Sequence, residues 1–264
     1  MSYICSLASG SSGNALALGC GATHILLDAG ISCLRIRRGL AALGLAPAAL
    51  SAVLITHPHS DHTSGLATFC KQYDVPVYAS LAAAEALALQ LPSVLPRLRC
   101  FAAGDAFSVG ELLVQSFPTS HDAAGSVDFR IDGAGFSFGA LTDTGIIPPE
   151  AAALLPGVHT LLLESNHDVR MLQTGSYPYA LKQRILSERG HLSNETAAAF
   201  AAEAEARGTR QIVLAHLSRD NNTPALAEAA SRAALRGEAA LHVAPRDTSL
   251  RLEVGEGANA LCRR

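Results

Sequence analysis

The chain has no tryptophan, and aromatic residues make up only 5% of it. Stacking of unpaired bases on aromatic side chains therefore has little support, with Tyr177 and Tyr179 around Pro178 as the main candidates. Cysteine is sparse: six in 264 residues, Cys5, Cys20, Cys33, Cys70, Cys100 and Cys262, with no C-x-x-C pair. That excludes a disulfide-stapled module, a zinc ribbon and a redox motif. No apolar run reaches the roughly 18 residues of a membrane span. The first twenty residues also lack the basic start and apolar stretch of a secretion signal. A cytoplasmic protein with reduced thiols and no membrane partner is expected. Positive charge is not in excess either: 20 Lys and Arg stand against 23 Asp and Glu, giving a net charge of −3 and a pI near 6.3. Proteins that grip nucleic acid through many phosphates are usually basic. A nucleic-acid substrate would have to be met by local or metal-borne charge.

What the chain does have is apolar material, 49% of residues with mean hydropathy +0.24, enough for a large core and too much for disorder. No repeat, charge run or Pro/Ser-rich linker interrupts it, so one domain over residues 1–264 is expected. Apolar runs of strand length (YICSLAS, ALALGC, THILLDAG, SAVLITH) fill the first quarter. Helical spacing predicts helices over Ile31–Leu43, Thr63–Tyr73 and Leu81–Leu91, the first stopping at Gly44 and the last at Pro92. Residues 99–141 read as strands with glycine turns. Further on, the pattern predicts strands at His159–Glu164 and Gln211–Ala215 and helices at Tyr179–Glu188, Asn194–Arg207 and Pro224–Leu235, with two strands after Leu241. Two strand-rich blocks with helices between them predict an α/β protein in which two sheets pack face to face under helices.

One segment carries chemistry. Thr56-His57-Pro58-His59-Ser60-Asp61-His62 follows the apolar run Val53–Ile55 directly. Three histidines so close would repel one another if protonated, and buried imidazoles need partners. A divalent ion resolves both problems, because neutral imidazole and carboxylate are its natural ligands. On a tight loop, His57 and His59 can face one ion while Asp61 and His62 face a second. This string cannot complete two sites, so more ligands are expected at later strand ends. His121 after LLVQSF, Asp143 after FSFGAL and His216 after IVLA all sit there.

The string HPHSDH, then an isolated His, an Asp and a late His, resembles the metallo-β-lactamase fold hydrolases. SLASGSSGN (6–14), LLDAGIS (26–32), ESNHD (164–168), GHLSN (190–194) and HLSRDNN (216–222) are similar to the YycJ/WalJ branch, whose members are described as 5′→3′ exonucleases on double-stranded DNA. The resemblance implies an αββα sandwich of two mixed sheets with the site at one edge. It implies that His57, His59 and His121 hold one ion, that Asp61, His62 and His216 hold a second, and that Asp143 bridges the two. Two such ions, zinc or manganese and about 3.5–4 Å apart, lower the pKa of a shared water and give a bound hydroxide as nucleophile. They also neutralise phosphate charge in the transition state. Asp61 is thereby catalytic as well as a ligand.

Glu164 and His191 resemble the acid/His pair of tRNA 3′-end ribonucleases, where it passes a proton to the leaving group. Both also fit bland roles, a helix-start carboxylate and a residue ahead of a helix cap. Substrate contacts are expected from Ser11, Ser12, Asn14, His167 and Asn222. The SGSSGN string serves equally as a tight turn, and the clusters Arg35–Arg37–Arg38 and Lys182–Arg184 as solvated helix faces. After His121 the sequence departs from the branch pattern of a Pro and a Gly, and its Ala124–Asp128 stretch places an acid, Asp128, near the expected substrate path. No domain is inserted between Asp143 and His216 to clamp long RNA, so DNA ends are the expected partner, with no obligate protein partner inferable. The competing readings are a small-molecule hydrolase of the same fold, acting on a thioester, lactam or cyclic phosphodiester, and a non-catalytic binding module.

Overall fold

A computed structural model describes residues 2–254; Met1 and residues 255–264, including Cys262, lie outside it. The early apolar runs form β1 (Ser2–Ala8), β2 (Ala15–Cys20), β3 (Thr23–Leu27), β4 (Ala52–Leu54), β5 (Val77–Ser80) and β6 (Leu98–Phe101). A second set follows: β7 (Ala106–Val109), β8 (Leu112–Pro118), β9 (Val127–Gly133), β10 (Phe136–Leu141), β11 (Thr160–Glu164), β12 (Gln211–Ala215) and β13 (Ala240–Val243). The last strand, β14 (Leu250–Val254), returns to the edge of the first sheet. The two seven-stranded sheets have the orders β14-β1-β2-β3-β4-β5-β6 and β13-β12-β11-β10-β9-β8-β7. Both are mixed. Strands β3 to β6 and β10 to β13 run parallel, and the remaining pairings are antiparallel.

The helices are α1 (Cys33–Ala42), α2 (Ser60–Thr63), α3 (Leu66–Gln72), α4 (Leu81–Gln90), α5 (Pro149–Leu154), α6 (Val169–Thr174), α7 (Tyr179–Ile185), α8 (Asn194–Ala206) and α9 (Pro224–Ala234). Strands buried on both faces read as continuous apolar runs, and successive residues serve different cores. On β4, Val53 packs with Ile36, Phe69 and Leu87 beneath the first helices, while Leu54 packs with Phe129 and Phe138 between the sheets. On β12, Ile212 and Leu214 join Phe200 under α8, and Val213 faces inward. Three apolar layers thus separate four structural ones, the expected αββα sandwich. No helix among the described residues is long and apolar enough to cross a membrane.

Some local expectations are corrected. The helix expected over Thr63–Tyr73 is split, because Gly65 donates to the Ala29 carbonyl (2.8 Å) and presses on the Ile31 carbonyl so closely that no Cβ fits. The helix expected to reach Glu188 stops at Ile185, whose carbonyl instead accepts from His191 N (3.0 Å). Two short helices were not legible. The first, α5, starts on the Pro148–Pro149 pair, and α6 is capped by Asp168, whose Oδ1 accepts from Met171 N at 2.7 Å.

Candidate metal centre

Strand ends deliver the chemistry to one edge of the sandwich. His57 follows β4, His121 follows β8, Asp143 follows β10, Glu164 ends β11 and His216 follows β12. Parallel strands that stop together leave a crevice at their carboxyl ends, the usual place for a ligand in α/β sheets. Asp28 (φ 59°), Asp143 (φ 52°) and His216 (φ 54°) are the non-glycine residues with left-handed backbone among the described residues. Such backbone costs about 1–3 kcal/mol and persists where the surroundings over-determine it.

Three loops interlock around the histidine string. Asn14 N donates to the Asp61 carbonyl, Gly30 N to Asn14 O and Ala29 N to His62 O, each at 2.8 Å. Gly30 lies so close to the Asp61 carbonyl that a Cβ would collide with it. SLASGSSGN and LLDAGIS are therefore the braces of HPHSDH. Ser9–Asn14 is a turn, closed by Gly13 N to Gly10 O (2.9 Å).

The donor atoms converge. His59 Nδ1 lies 3.1 Å from His57 Nε2 and 3.3 Å from His121 Nε2. Beside this trio, Asp61 Oδ2 lies 3.5 Å from His62 Nε2 and 3.7 Å from His216 Nε2. Asp143 stands between the groups: Oδ1 is 3.8 Å from His121 Nε2, and Oδ2 is 3.2 Å from His62 Nε2. Ligands about 2.0–2.1 Å from a tetrahedral ion are about 3.3 Å apart, so these spacings fit coordination shells. Asp143 Oδ2 and His216 Nε2 are buried without any hydrogen-bond partner, which natural proteins rarely tolerate without an ion or water to satisfy them. The donor set fits divalent metal.

Buried carboxylates aim the imidazoles. Asp28 accepts from Thr56 N (2.9 Å) and from the Thr56 hydroxyl, and its Oδ2 is 2.7 Å from His62 Nδ1, which turns His62 Nε2 toward Asp61 and Asp143. Because the Thr56 hydroxyl donates to Asp28, it accepts from His57 Nδ1–H (3.0 Å), which leaves His57 Nε2 as a lone pair. Glu164 Oε1 lies 2.9 Å from His191 Nδ1 and 2.8 Å from His216 Nδ1, while Oε2 accepts from Leu192 N at 2.9 Å. Carboxylate–imidazole pairs of this kind fix tautomer and orientation at metal sites. Burial alone would raise the Glu164 carboxyl, but the imidazoles of His191 and His216 hold it down at about 2. Burial likewise works against charge on His216, yet Asp143, Asp61 and Glu164 lift it to about 10. His62 is raised for the same reason by Asp28 and Asp143, against its own burial.

A crevice of about 270 Å³ opens over these donors. His191 lines it, one ring away from His121 and His216 at centroid distances of 5.3 and 5.4 Å. Ser11 lines it too, whereas Ser12, exposed at the turn, does not. Asn14 is spent on the cluster, with Nδ2 3.0 Å from His62 Nε2. Asn222 is buried and does not line the crevice: it donates to Ser165 O and Asn194 Oδ1 (both 2.8 Å) and accepts from Asn194 Nδ2 (3.0 Å). His167 is buried away from the crevice lining. Asp128 is off the substrate path as well. It is fully buried in β9, accepts from Thr142 N (2.8 Å) and Phe129 N (2.9 Å), and burial raises its carboxyl to about 8. Sequence reasoning missed Asp28, although it closes an apolar strand just as Asp143 does. It also missed Asp122 and Arg189, which no pattern marks as lining a cleft.

Residues 23–217 match the family model described as Beta-lactamase superfamily domain. Exodeoxyribonuclease YycJ of Bacillus anthracis is 38% identical over 228 residues, 84% of each chain. Exodeoxyribonuclease WalJ of Streptococcus pneumoniae serotype 2 (strain D39) is 39% identical over 224 residues, covering 84% of this chain and 83% of that one. The Zn(2+)-bound crystal structure of PqqB from Methylobacterium extorquens superposes with TM-score 0.72 at 18% identity, over 96% of this chain and 100% of that one. The αββα sandwich, the matched span and the two relatives lead to one assignment: the chain belongs to the metallo-β-lactamase superfamily, in the group of YycJ and WalJ, and is a metal-dependent hydrolase.

Proposed function

We propose that the protein is a dinuclear-metal exodeoxyribonuclease that degrades duplex DNA from its ends in the 5′→3′ direction. In this reading His57, His59 and His121 would hold one ion, Asp61, His62 and His216 would hold the other, and Asp143, which faces both groups, would serve both. The imidazole-rich first group suits zinc, and the carboxylate-bearing second group suits zinc or manganese. When bound, the ions supply an activated water and positive charge for the phosphate oxygens.

The observation that carries the reading is the Glu164–His191 pair beside the donors. Its Nδ1–Oε1 distance is 2.9 Å, and Glu164 is buried while His191 reaches the crevice. With Nδ1 held by the carboxylate, Nε2 faces the substrate and can donate to an alkoxide leaving group. Burial lowers the His191 pKa, but Glu164 and Asp143 outweigh it and raise it, which favours the protonated ring that an acid role needs. Hydrolysis of a thioester does not require that acid, because a thiolate leaves without a proton. The relatives named exodeoxyribonuclease point the same way.

The test is digestion of a linear duplex, labelled at either end, by protein of measured metal content. Two metals per chain and early release of short products from the 5′ label support the proposal. Early loss of the 3′ label, or turnover confined to a chromogenic lactam or thioester, overturns it.

A further inference from the structure

The crevice has a second wall, and it is chemically unlike the first. Leu181, Arg184 and Ile185 of α7, with Tyr177 and Arg189 beside it, face the donor cluster across the opening. No residue of α7 is buried. Polar contacts hold it: Lys182 Nζ donates to the carbonyls of Gln173 (2.9 Å) and Gly175 (2.7 Å), and Arg184 Nε donates to Asp122 Oδ2 (2.6 Å). Arg189 Nη2 donates to the His121 carbonyl (3.2 Å) and has no carboxylate partner among the described residues.

Asp122 follows His121 and stands between the arm and the metal donors. Its Oδ1 is 3.5 Å from His121 Nε2 and 4.0 Å from His59 Nε2, while its Oδ2 takes the Arg184 guanidinium. The side chains of Arg184 and Asp122 keep 58% and 30% of their exposure, so the pair is reachable and only weakly stabilising. Arg184 Nε and Nη2 both meet one Asp122 oxygen, Oδ2; a phosphodiester offers two such anionic oxygens on one centre, to which a guanidinium can fork.

We propose that Asp122 is an internal stand-in for a DNA phosphate, and that Arg184 exchanges it for the phosphodiester adjoining the scissile one. This rests on the nuclease reading above and names how that site grips its substrate. In the free protein the exchange partner keeps Arg184 aimed at the crevice. An anion too weak to compete for the guanidinium leaves the Asp122–Arg184 pair closed and meets the Asp122 carboxylate beside the metal donors. Arg189, already fixed and unpaired, adds a second positive charge to the same phosphate track. The pair therefore sets selectivity for a polyanionic strand over small anions.

The two members of the pair then have opposite signs. Arg184→Ala leaves Asp122 as a bare negative charge and raises KM for duplex DNA by about tenfold or more, with a far smaller change in kcat. Arg184→Lys recovers part of the loss, because an ammonium keeps the charge without the fork. Asp122→Asn frees Arg184 and lowers KM. Adding Asp122→Asn to Arg184→Ala restores much of the lost affinity, a coupling that a double-mutant cycle reads directly. Binding of a labelled duplex with cleavage-resistant phosphorothioate linkages to the metal-loaded protein, followed by fluorescence anisotropy across a salt series, gives a readout free of turnover. There Arg184→Ala reduces the slope of log Kd against log salt by about 1.

A merely structural pair that pins α7 predicts that both single variants weaken binding alike. That result overturns the inference, as does unchanged KM in Arg184→Ala. Equal metal content in all variants shows that His121 was not disturbed. Failure of the parent protein to cut or bind DNA refutes the nuclease reading instead, so the two failures are distinguishable.

Discussion

The two walls of the crevice follow opposite designs. On the strand-end wall, Asp28, Asp143, Glu164, His57, His62 and His216 are all buried, and each reaches a second charged or polar group of the cluster. On the arm wall, α7 buries nothing and is tied down by Lys182 and Arg184. Side chains that must stay within tenths of an ångström of a reacting atom sit on packed strands, and side chains that must adapt to a flexible polymer sit on an exposed arm. Damage to the first wall should cost metal and rate, and damage to the second only affinity.

The largest effect is expected at the shared carboxylate. Asp143→Asn replaces one of the two oxygens that face the donor groups with an amide NH2 and removes the charge, so metal content should fall at both sites and activity should be abolished, while far-UV circular dichroism stays close to that of the parent. Two retained metals with full turnover would remove Asp143 from the centre.

His191→Ala should keep its metal and lose about 10²–10⁴ in rate on DNA, the usual contribution of a positioned acid. The loss should shrink on a p-nitrophenyl phosphodiester, whose leaving group needs no proton. Glu164→Gln sharpens the contrast. Because Glu164 Oε1 holds both His191 and His216, its loss should lower metal affinity by about 10–100-fold as well as rate. Metal analysis after dialysis separates the two, and intact metal in Glu164→Gln would limit its role to His191.

Lys182→Ala probes the other wall. It releases one anchor of α7, so KM should rise severalfold with metal content unchanged and Tm shifted by no more than about 2–4 °C, the equivalent of about 1 kcal/mol. A loss of metal in this variant would break the distinction between the walls.

A further effect concerns pH and lies beneath the site. Burial raises Asp128 from 3.8 to about 8, so the folded state holds its proton more tightly than the unfolded chain. Its stabilising contribution is fully present below pH 3.8 and is lost as pH rises toward 8. The Tm advantage of the parent over Asp128→Asn, measured on metal-free protein, should therefore shrink through that window. A constant difference would contradict the buried protonated carboxyl.

Much of this was legible because local physics dictates it. Doubly buried strands write themselves as unbroken apolar runs, and β10, β11 and β12 lie where the pattern predicted strands. The seven donors were legible for a different reason. Three histidines and an aspartate packed behind a strand have no cheap structural explanation, and lone acids or imidazoles at later strand ends repeat the placement. Helices α5 and α6 were not legible, since each is under two turns and depends on a proline pair or an aspartate cap rather than on periodicity.

Other assignments depended on neighbours far away in sequence. Asn222 reads as a substrate contact until Ser165 and Asn194 close around it, and Asp128 as an acid near the substrate path until β9 buries it against Thr142. Glu164 reads as a partner of His191 alone until β12 brings His216 to the same oxygen. The sequence by itself determined the layers, the strand ends and which residues could bind metal, because burial periodicity and side-chain chemistry are local properties. Tertiary structure decided which nitrogen each imidazole presents, which acids are satisfied from within, and that Asp122 meets Arg184 across the crevice. Those outcomes are set by distances of a few ångströms between residues up to 62 positions apart, and no local pattern encodes them.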